Sequence, residues 1–215
     1  MERLEHHRDF HFRRLAQRRI KSEAQALNFI GEVGFCTAFT AGLNVPCLRE
    51  AIVGEREPPL PHHIQHDYAI GMTWRLKDVL TARRAVYYGK VIAGRPAFIA
   101  PQMLPAFLRL RAGRTSYLTA FRAGALSLCA KLVIDALRRR PVAATWELKM
   151  ATGYSRAARR AEFDRAIKEL QEKFMLLKVE ERYEPFTYVW SKLEHRWADA
   201  IAQARKLGAK KPPIT

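Results

Sequence analysis

The chain has 215 residues, 48% of them hydrophobic, with 38 Lys and Arg against 21 Asp and Glu, a formal net charge of +17 and a pI near 10.3. That apolar content is enough for a core and excludes a disordered basic tail, while the charge favours a polyanionic partner, nucleic acid ahead of an anionic membrane surface. No segment is apolar for long enough to span a bilayer, and the three cysteines, Cys36, Cys47 and Cys129, form no C-x-x-C pair and read as reduced core thiols of a cytoplasmic protein. The opening Met-Glu-Arg-Leu has no apolar run of the secretory kind.

Residues 1–21 carry Arg8, Arg13, Arg14, Arg18, Arg19 and Lys21 with His6, His7 and His11. They read either as a basic arm reaching for DNA backbone or as a surface helix docked through Phe10, Leu15 and Ile20. Ser22 is an N-cap for a helix with Ala26, Leu27 and Ile30 inward, which ends over Gly31 to Cys36. Leu48, Ile52 and Val53 make a short helix before Gly54, and Pro58, Pro59 and Pro61 make residues 54–63 a loop. His62 and His66 would stand at i,i+4 on a helix, a metal-ligand spacing. No Cys or acid pair nearby completes a set, so a solvated His-rich loop is the default. Thr73 is expected to cap a helix carrying Trp74, Leu76, Val79 and Leu80. Tyr87 to Ile99 alternate around Ala93-Gly94-Arg95 as a hairpin, and helix followed by hairpin is the back half of a winged helix. Pro101 is expected to open a helix with Met103, Leu104, Phe107, Leu108 and Leu110, closed by Gly113.

From Ser116 the chain runs into its most regular stretch. Leu126, Cys129, Val133, Ala136 and Leu137 recur at helical spacing until Pro141. Val142-Ala143 is an extended link, Thr145 an N-cap for a helix over 146–151, and Gly153 a C-cap needing φ > 0. Ser155 is placed as the cap of a longer helix whose apolar face is Phe163, Ile167, Leu170 and Phe174. Met175–Glu180 and Phe186–Trp190, turning at Glu184-Pro185, form a hairpin, and residues 195–207 a last basic helix. Helix, strand, helix, helix, hairpin is the order of a winged helix, in which the second helix of the pair enters the major groove and the hairpin is the wing.

The cations of that second helix crowd toward its start: Arg156, Arg159, Arg160, Arg165 and Lys168. Such a helix suits a groove, because phosphate contacts dominate affinity and Arg reads guanine bidentately. The bland alternative is a solvated charged face on a winged helix used for protein contact. Arg182 on the wing, and Tyr87, Tyr88, Lys90 and Arg95 on the first hairpin, complete the expected DNA surface. Tyr87 and Tyr88 would stack on an extruded base, the plainer reading of adjacent strand aromatics being one in the core and one outside. No Walker loop, G-x-G-x-x-G, H-E-x-x-H or G-x-S-x-G is present, and no cofactor is expected.

Glu32-Val33-Gly34-Phe35-Cys36, with Tyr87-Tyr88-Gly89-Lys90, Pro96-Ala97-Phe98-Ile99 and Leu104-Pro105, resembles the AlkZ-related proteins. These are small relatives of the winged-helix crosslink-repair DNA glycosylases of the AlkZ/YcaQ group. The resemblance, over about residues 20–190, implies tandem winged helices on double-stranded DNA. The glycosylases hold their hydrolytic water with Gln-x-Gln or Gln-x-Asp just after a Gly-Tyr-Val-like turn. Here the turn is Gly34-Phe35-Cys36 and the next residues are Thr37-Ala38-Phe39, which cannot hold and activate water. Gln25 and Glu32 lie close by at the wrong spacing.

The expected fold is therefore mainly α with small β-hairpins, an α+β tandem winged helix-turn-helix. Its expected parts are a basic arm over 1–21, a winged-helix-like domain over 22–113, a winged-helix domain over 114–207 and a frayed tail over 208–215. The expected function is non-catalytic duplex DNA binding, regulatory or accessory to alkylation or crosslink repair, in the cytoplasm with the nucleoid. The alternatives are a glycosylase with a replaced catalytic group and a winged helix turned to protein or RNA.

Overall fold

The computed structural model describes residues 2–60, 63, 66–111 and 116–207. The His62 half of the His62/His66 pair, Gly113 and the 208–215 tail lie outside them. The fold is α+β, helical with two small antiparallel sheets, and the chain divides into two compact units: Met1–Tyr88 with Arg95–Met103, and Gly89–Gly94 with Leu104–Thr215. No helix among the described residues is long and apolar enough to cross a membrane.

The first unit begins with helix α1 (Glu2–His11) and a single 3-10 turn (Ala16–Arg18). Ser22 caps α2 (Glu23–Val33), its hydroxyl accepting from Gln25 N–H at 3.3 Å. Phe29 joins Ala26 and Ile30 in the core where Leu27 was expected; Leu27 is exposed. Gly34, at φ 77°, turns the chain into strand β1 (Phe35–Thr37), too short for a periodicity to announce. Helix α3 (Leu48–Val53) ends at Gly54 in the left-handed region, as its sequence implies. Helix α4 (Tyr68–Ala82) starts earlier than Thr73, because Asp67 supplies the cap by accepting from Ile70 N–H at 2.7 Å; Thr73 sits inside the helix and donates to Ala69 O. Strands β2 (Tyr87–Ile92) and β3 (Arg95–Ile99) turn at Ala93 and Gly94, both at positive φ, and β3 pairs β1 to give the order β1-β3-β2. Phe29, Ile30, Leu48, Ile52, Leu76, Leu80 and Phe98 fill this core.

The expected basic arm is in part core. Arg14 is buried, its Nε 2.6 Å from the buried Glu50 carboxylate, and donates to Val45 O at 3.1 Å. Arg13 reaches Gln25 O and, at 3.0 Å, Glu32. Ile20 is buried, whereas Phe10 stays exposed beneath the Arg18 guanidinium. A charge taken from water needs a partner, and pairing is what lets these arginines lie inside.

In the second unit, α5 (Leu104–Arg111) begins beyond Pro101, which sits in the preceding turn, and Leu110 is exposed. Ser116 caps α6 (Tyr117–Arg122) and Ser127 caps α7 (Leu128–Arg139). Strand β4 (Val142–Ala144) leads into α8 (Thr145–Thr152). Its N-cap is Ala144 rather than Thr145, with the Glu147 carboxylate accepting from Ala144 N–H at 2.7 Å. Gly153 closes α8 at φ 76°. Helix α9 (Arg160–Glu172) is followed by the hairpin β5 (Leu176–Tyr183) and β6 (Phe186–Lys192), then α10 (Leu193–Arg196) and α11 (Ala198–Leu207), broken at Trp197. The sheet order is β4-β6-β5. Cys129, Val133, Leu137, Leu148, Phe163, Ile167, Leu170, Leu176 and Trp190 make the core. Phe174 is buried just past α9, at φ 54°, so a left-handed residue ends the helix where a longer stripe was expected.

Candidate nucleic-acid interface

The sequence places five cations on one helix, and the structure divides them. Ser155 is exposed and caps nothing: a 3-10 turn (Ala157–Arg159) intervenes, and α9 starts only at Arg160. Arg156 and Arg159 therefore stand on the segment entering the helix. That segment is tied down through Tyr154, whose buried ring lies under the Arg159 guanidinium at 4.8 Å and whose hydroxyl donates to Glu162 at 2.7 Å. The hydrogen bond to Glu162 and then burial push the Tyr154 phenol up to about 12.

Phe163, Ala166, Ile167 and Leu170 turn α9's apolar face into the core. Arg165 and Lys168 fall on the opposite side of the 3.6-residue repeat, and both are exposed. Arg160 lies 3.8 Å from Asp164 and Lys168 3.7 Å from Glu172, both at i,i+4 on the surface, where such pairs hold little. Arg156 and Arg165 have no ion-pair partner among the described residues. The segment Gly89–Gly94 belongs to this unit, and a Cβ at Gly94 would lie 3.2 Å from Lys168 Cε. One end of the cationic face thus leaves little room beside Gly94. Lys90 is exposed on the same segment, and Arg95 is exposed in the first unit.

The expected stacking residues are misplaced. Tyr87 and Tyr88 are both buried, which removes them from any base and also overturns the one-in, one-out alternative. Burial alone raises the Tyr87 phenol far above its ordinary value. A run of exposed aromatics lies instead on the β5–β6 hairpin. Phe186, Tyr188 and Trp190 share one face of β6, and Tyr183 pairs with Phe186 across the strands. Neighbouring ring centroids are 5.2–6.0 Å apart from Tyr183 through Phe186 and Tyr188 to Trp190. The ladder is buried at its Trp190 root and exposed at Tyr183 and Phe186. Thr145 fixes the root: its hydroxyl accepts from the Trp190 indole at 2.9 Å and donates to Tyr188 O at 3.0 Å. Arg182 is held on the other face by Glu180 at 3.0 Å. Period-two alternation in residues 183–190 was the available signal for this ladder.

The catalytic-motif position is also filled by core. Ala100 N–H donates to Gly34 O at 2.8 Å, Cys36 pairs with Phe98, and a Cβ on Gly34 would stand 3.0 Å from Met103. Thr37 is fully buried and its hydroxyl donates to Pro46 O at 3.4 Å. Ala38 is buried, and Phe39 packs on Trp74 at 4.9 Å. Burial, and then Cys47, push the Cys36 thiol up. Gln25 spends its side-chain oxygen on Lys21 N–H at 2.7 Å, and Glu32 pairs with Arg13. No group of three or more His, Cys, Asp or Glu residues that could hold a metal occurs among the described residues.

No curated protein and no solved structure matches the chain. The sequence model of the family described as AlkZ related matches residues 20–206. A match over that share of the sequence establishes membership: the chain belongs to the AlkZ-related family, and through it is linked to the AlkZ/YcaQ DNA-repair proteins.

Proposed function

We propose that this protein binds duplex DNA without chemistry of its own, as a regulatory or accessory factor in alkylation or crosslink repair, and that its second unit is a winged helix. The supporting topology is α7, β4, α8, turn, α9 and hairpin, with a sheet ordered β4-β6-β5. The observation that carries the reading is the segregation on and before α9: Phe163, Ile167 and Leu170 are buried while Arg156, Arg159, Arg160, Arg165 and Lys168 are exposed. A cationic ridge on a helix backed by a rigid core is suited to phosphates flanking a major groove. Absence of excision is inferred from Thr37, Ala38 and Phe39, whose side chains belong to the core of the first unit.

One observation favours a second reading, a winged helix that contacts protein. The wing's exposed end is aromatic, and toward the turn Arg182 is outnumbered by Glu180, Glu181 and Glu184. Acids repel phosphate, so in the DNA reading α9 and its leading turn carry the affinity and the wing adds little. Binding to one duplex over a salt series separates the two. If about six phosphates are neutralised, log K falls against log salt with a slope of roughly −5, and Arg156→Ala with Arg160→Ala shrinks it by about two. An unchanged slope removes α9 from the DNA surface.

A further inference from the structure

The first unit holds a groove of about 530 Å³ bounded by Arg19, Ile20, Lys21, Ile52, Val53, Asp67, Tyr68 and Ala69. Its volume is that of a small-molecule site. Its walls divide by chemistry. Ile20, Ile52, Val53 and Ala69 give it apolar lining, Tyr68 lines it 69% exposed, and Arg19 and Lys21 line it exposed with no ion-pair partner among the described residues. The backbone that carries the two cations is anchored. Ile20 N–H donates to Ala51 O at 2.8 Å, its side chain is buried, and Lys21 N–H donates to the Gln25 amide oxygen at 2.7 Å. Behind it the backbone packs closely, since a Cβ on Gly54 would fall 2.9 Å from Ala16 Cα.

We propose that this groove is a nucleotide site, taking a flat ring against Tyr68 and the apolar lining and a phosphate between Arg19 and Lys21. Two cations on an anchored backbone beside an apolar cleft select an anion attached to an apolar body, and an exposed phenol ring at the cleft selects a flat one. Asp67 sets the orientation. Its carboxylate caps α4 and repels a phosphate there, leaving the α4 side to the ring and the Arg19 side to the phosphate. Every residue involved lies in the first unit, and the inference does not depend on the α9 surface. The ligand is either a free nucleotide or one unit of a single strand.

Calorimetric titration of the full chain with AMP, adenosine, inorganic phosphate and a short oligo-dA tests it. AMP is expected to saturate one site, with adenosine and phosphate each about tenfold weaker or worse, since each keeps only half of the contacts. Arg19→Ala with Lys21→Ala should weaken AMP about tenfold and leave adenosine unchanged, while Tyr68→Ala should weaken both. These side chains are exposed, so the thermal melts of the variants should match the parent. Oligo-dA binding more tightly than AMP and sensitive to the same variants identifies the strand unit, and the reverse order identifies the free nucleotide. No saturable AMP or oligo-dA binding, or binding indifferent to all three substitutions, overturns the proposal. Duplex affinity in the Arg156/Arg160 variant stays a separate readout, so either reading can fail alone.

Discussion

Breaking the Arg14–Glu50 pair should damage the first unit asymmetrically, and the structure says in which direction. Both side chains are nearly without solvent, 3% and 2% exposed, and their charged atoms are 2.6 Å apart. Removing one partner of such a pair costs about 3–5 kcal/mol, because the other is left charged and dry. What remains for each survivor differs. Without Arg14, Glu50 keeps Glu57 N–H at 3.2 Å; without Glu50, Arg14 keeps Val45 O at 3.1 Å and Asp9 at 3.7 Å. Arg14→Met should therefore fall near the upper end, about 5 kcal/mol, and Glu50→Leu near the lower, about 3. The double substitution removes both charges of the pair and should cost only about 1 kcal/mol, for the unpaired Val45 carbonyl and Glu57 amide. The assay is urea unfolding read by hydrogen exchange at α2 and α3 amides, which belong to this unit. With a slope of about 2 kcal/mol per molar urea, the singles should move the midpoint by about 1.5–2.5 M and the double by about 0.5 M. Singles that each cost under about 1 kcal/mol, or that simply add in the double, would refute the reasoning.

The second unit offers a simpler test. Phe163→Ala should destabilise it by about 3–5 kcal/mol, since the ring is fully buried on α9's apolar face beneath Lys149; a melt matching the parent would mean the ring is not core. Tyr154 predicts alkaline behaviour. Its folded phenol is pushed up to about 12, above the ordinary 10, so its neutral-form stabilisation is complete below pH 10 and is lost as pH rises toward 12. Tyr154→Phe should flatten that part of the stability curve, and identical curves would remove Tyr154 as the cause. Purified protein given N7-methylated duplex should release no 7-methylguanine with turnover, and multiple-turnover release measured by chromatography would overturn the non-catalytic reading. Restoring Gln at Thr37 and Asp at Phe39 should not create activity, because the surrounding side chains are packed as core.

What the sequence disclosed was the local and the periodic. Ser22, Gly54 and Gly153 work as caps, the α7 and α9 stripes are buried, and both hairpins turn where Gly94 and Pro185 imply. Helix starts were misread where a neighbour offered a better cap: Asp67 over Thr73, Ala144 with Glu147 over Thr145, and a 3-10 turn between Ser155 and α9. Each choice depends on which side chain reaches which amide, and spacing does not encode that. The larger misses concern polarity. Arg13 and Arg14 look solvent-bound until Glu32 and Glu50, 19 and 36 residues away, are brought beside them. Tyr87 and Tyr88 look half-exposed until the tertiary fold buries the hairpin's first residues on both faces. The groove at Arg19 and Tyr68 is assembled from three separate stretches and left no local trace.

The ring ladder of the β5–β6 hairpin also gives the molecule an internal optical gauge. Trp190 is buried, its indole N–H is bonded to Thr145, and its ring touches Tyr188, which leads outward to the tip. Trp146 and Trp74, by contrast, are 59% and 42% exposed, so an aqueous quencher such as iodide silences them first. The emission that survives comes from Trp190 and the buried Trp197. A partner that tilts the ladder would pull it against the Thr145 hydroxyl, which cannot follow without also moving α8. A change in blue-shifted emission is the expected sign that the hairpin is occupied, with no label attached, whether the visitor is a duplex or another protein.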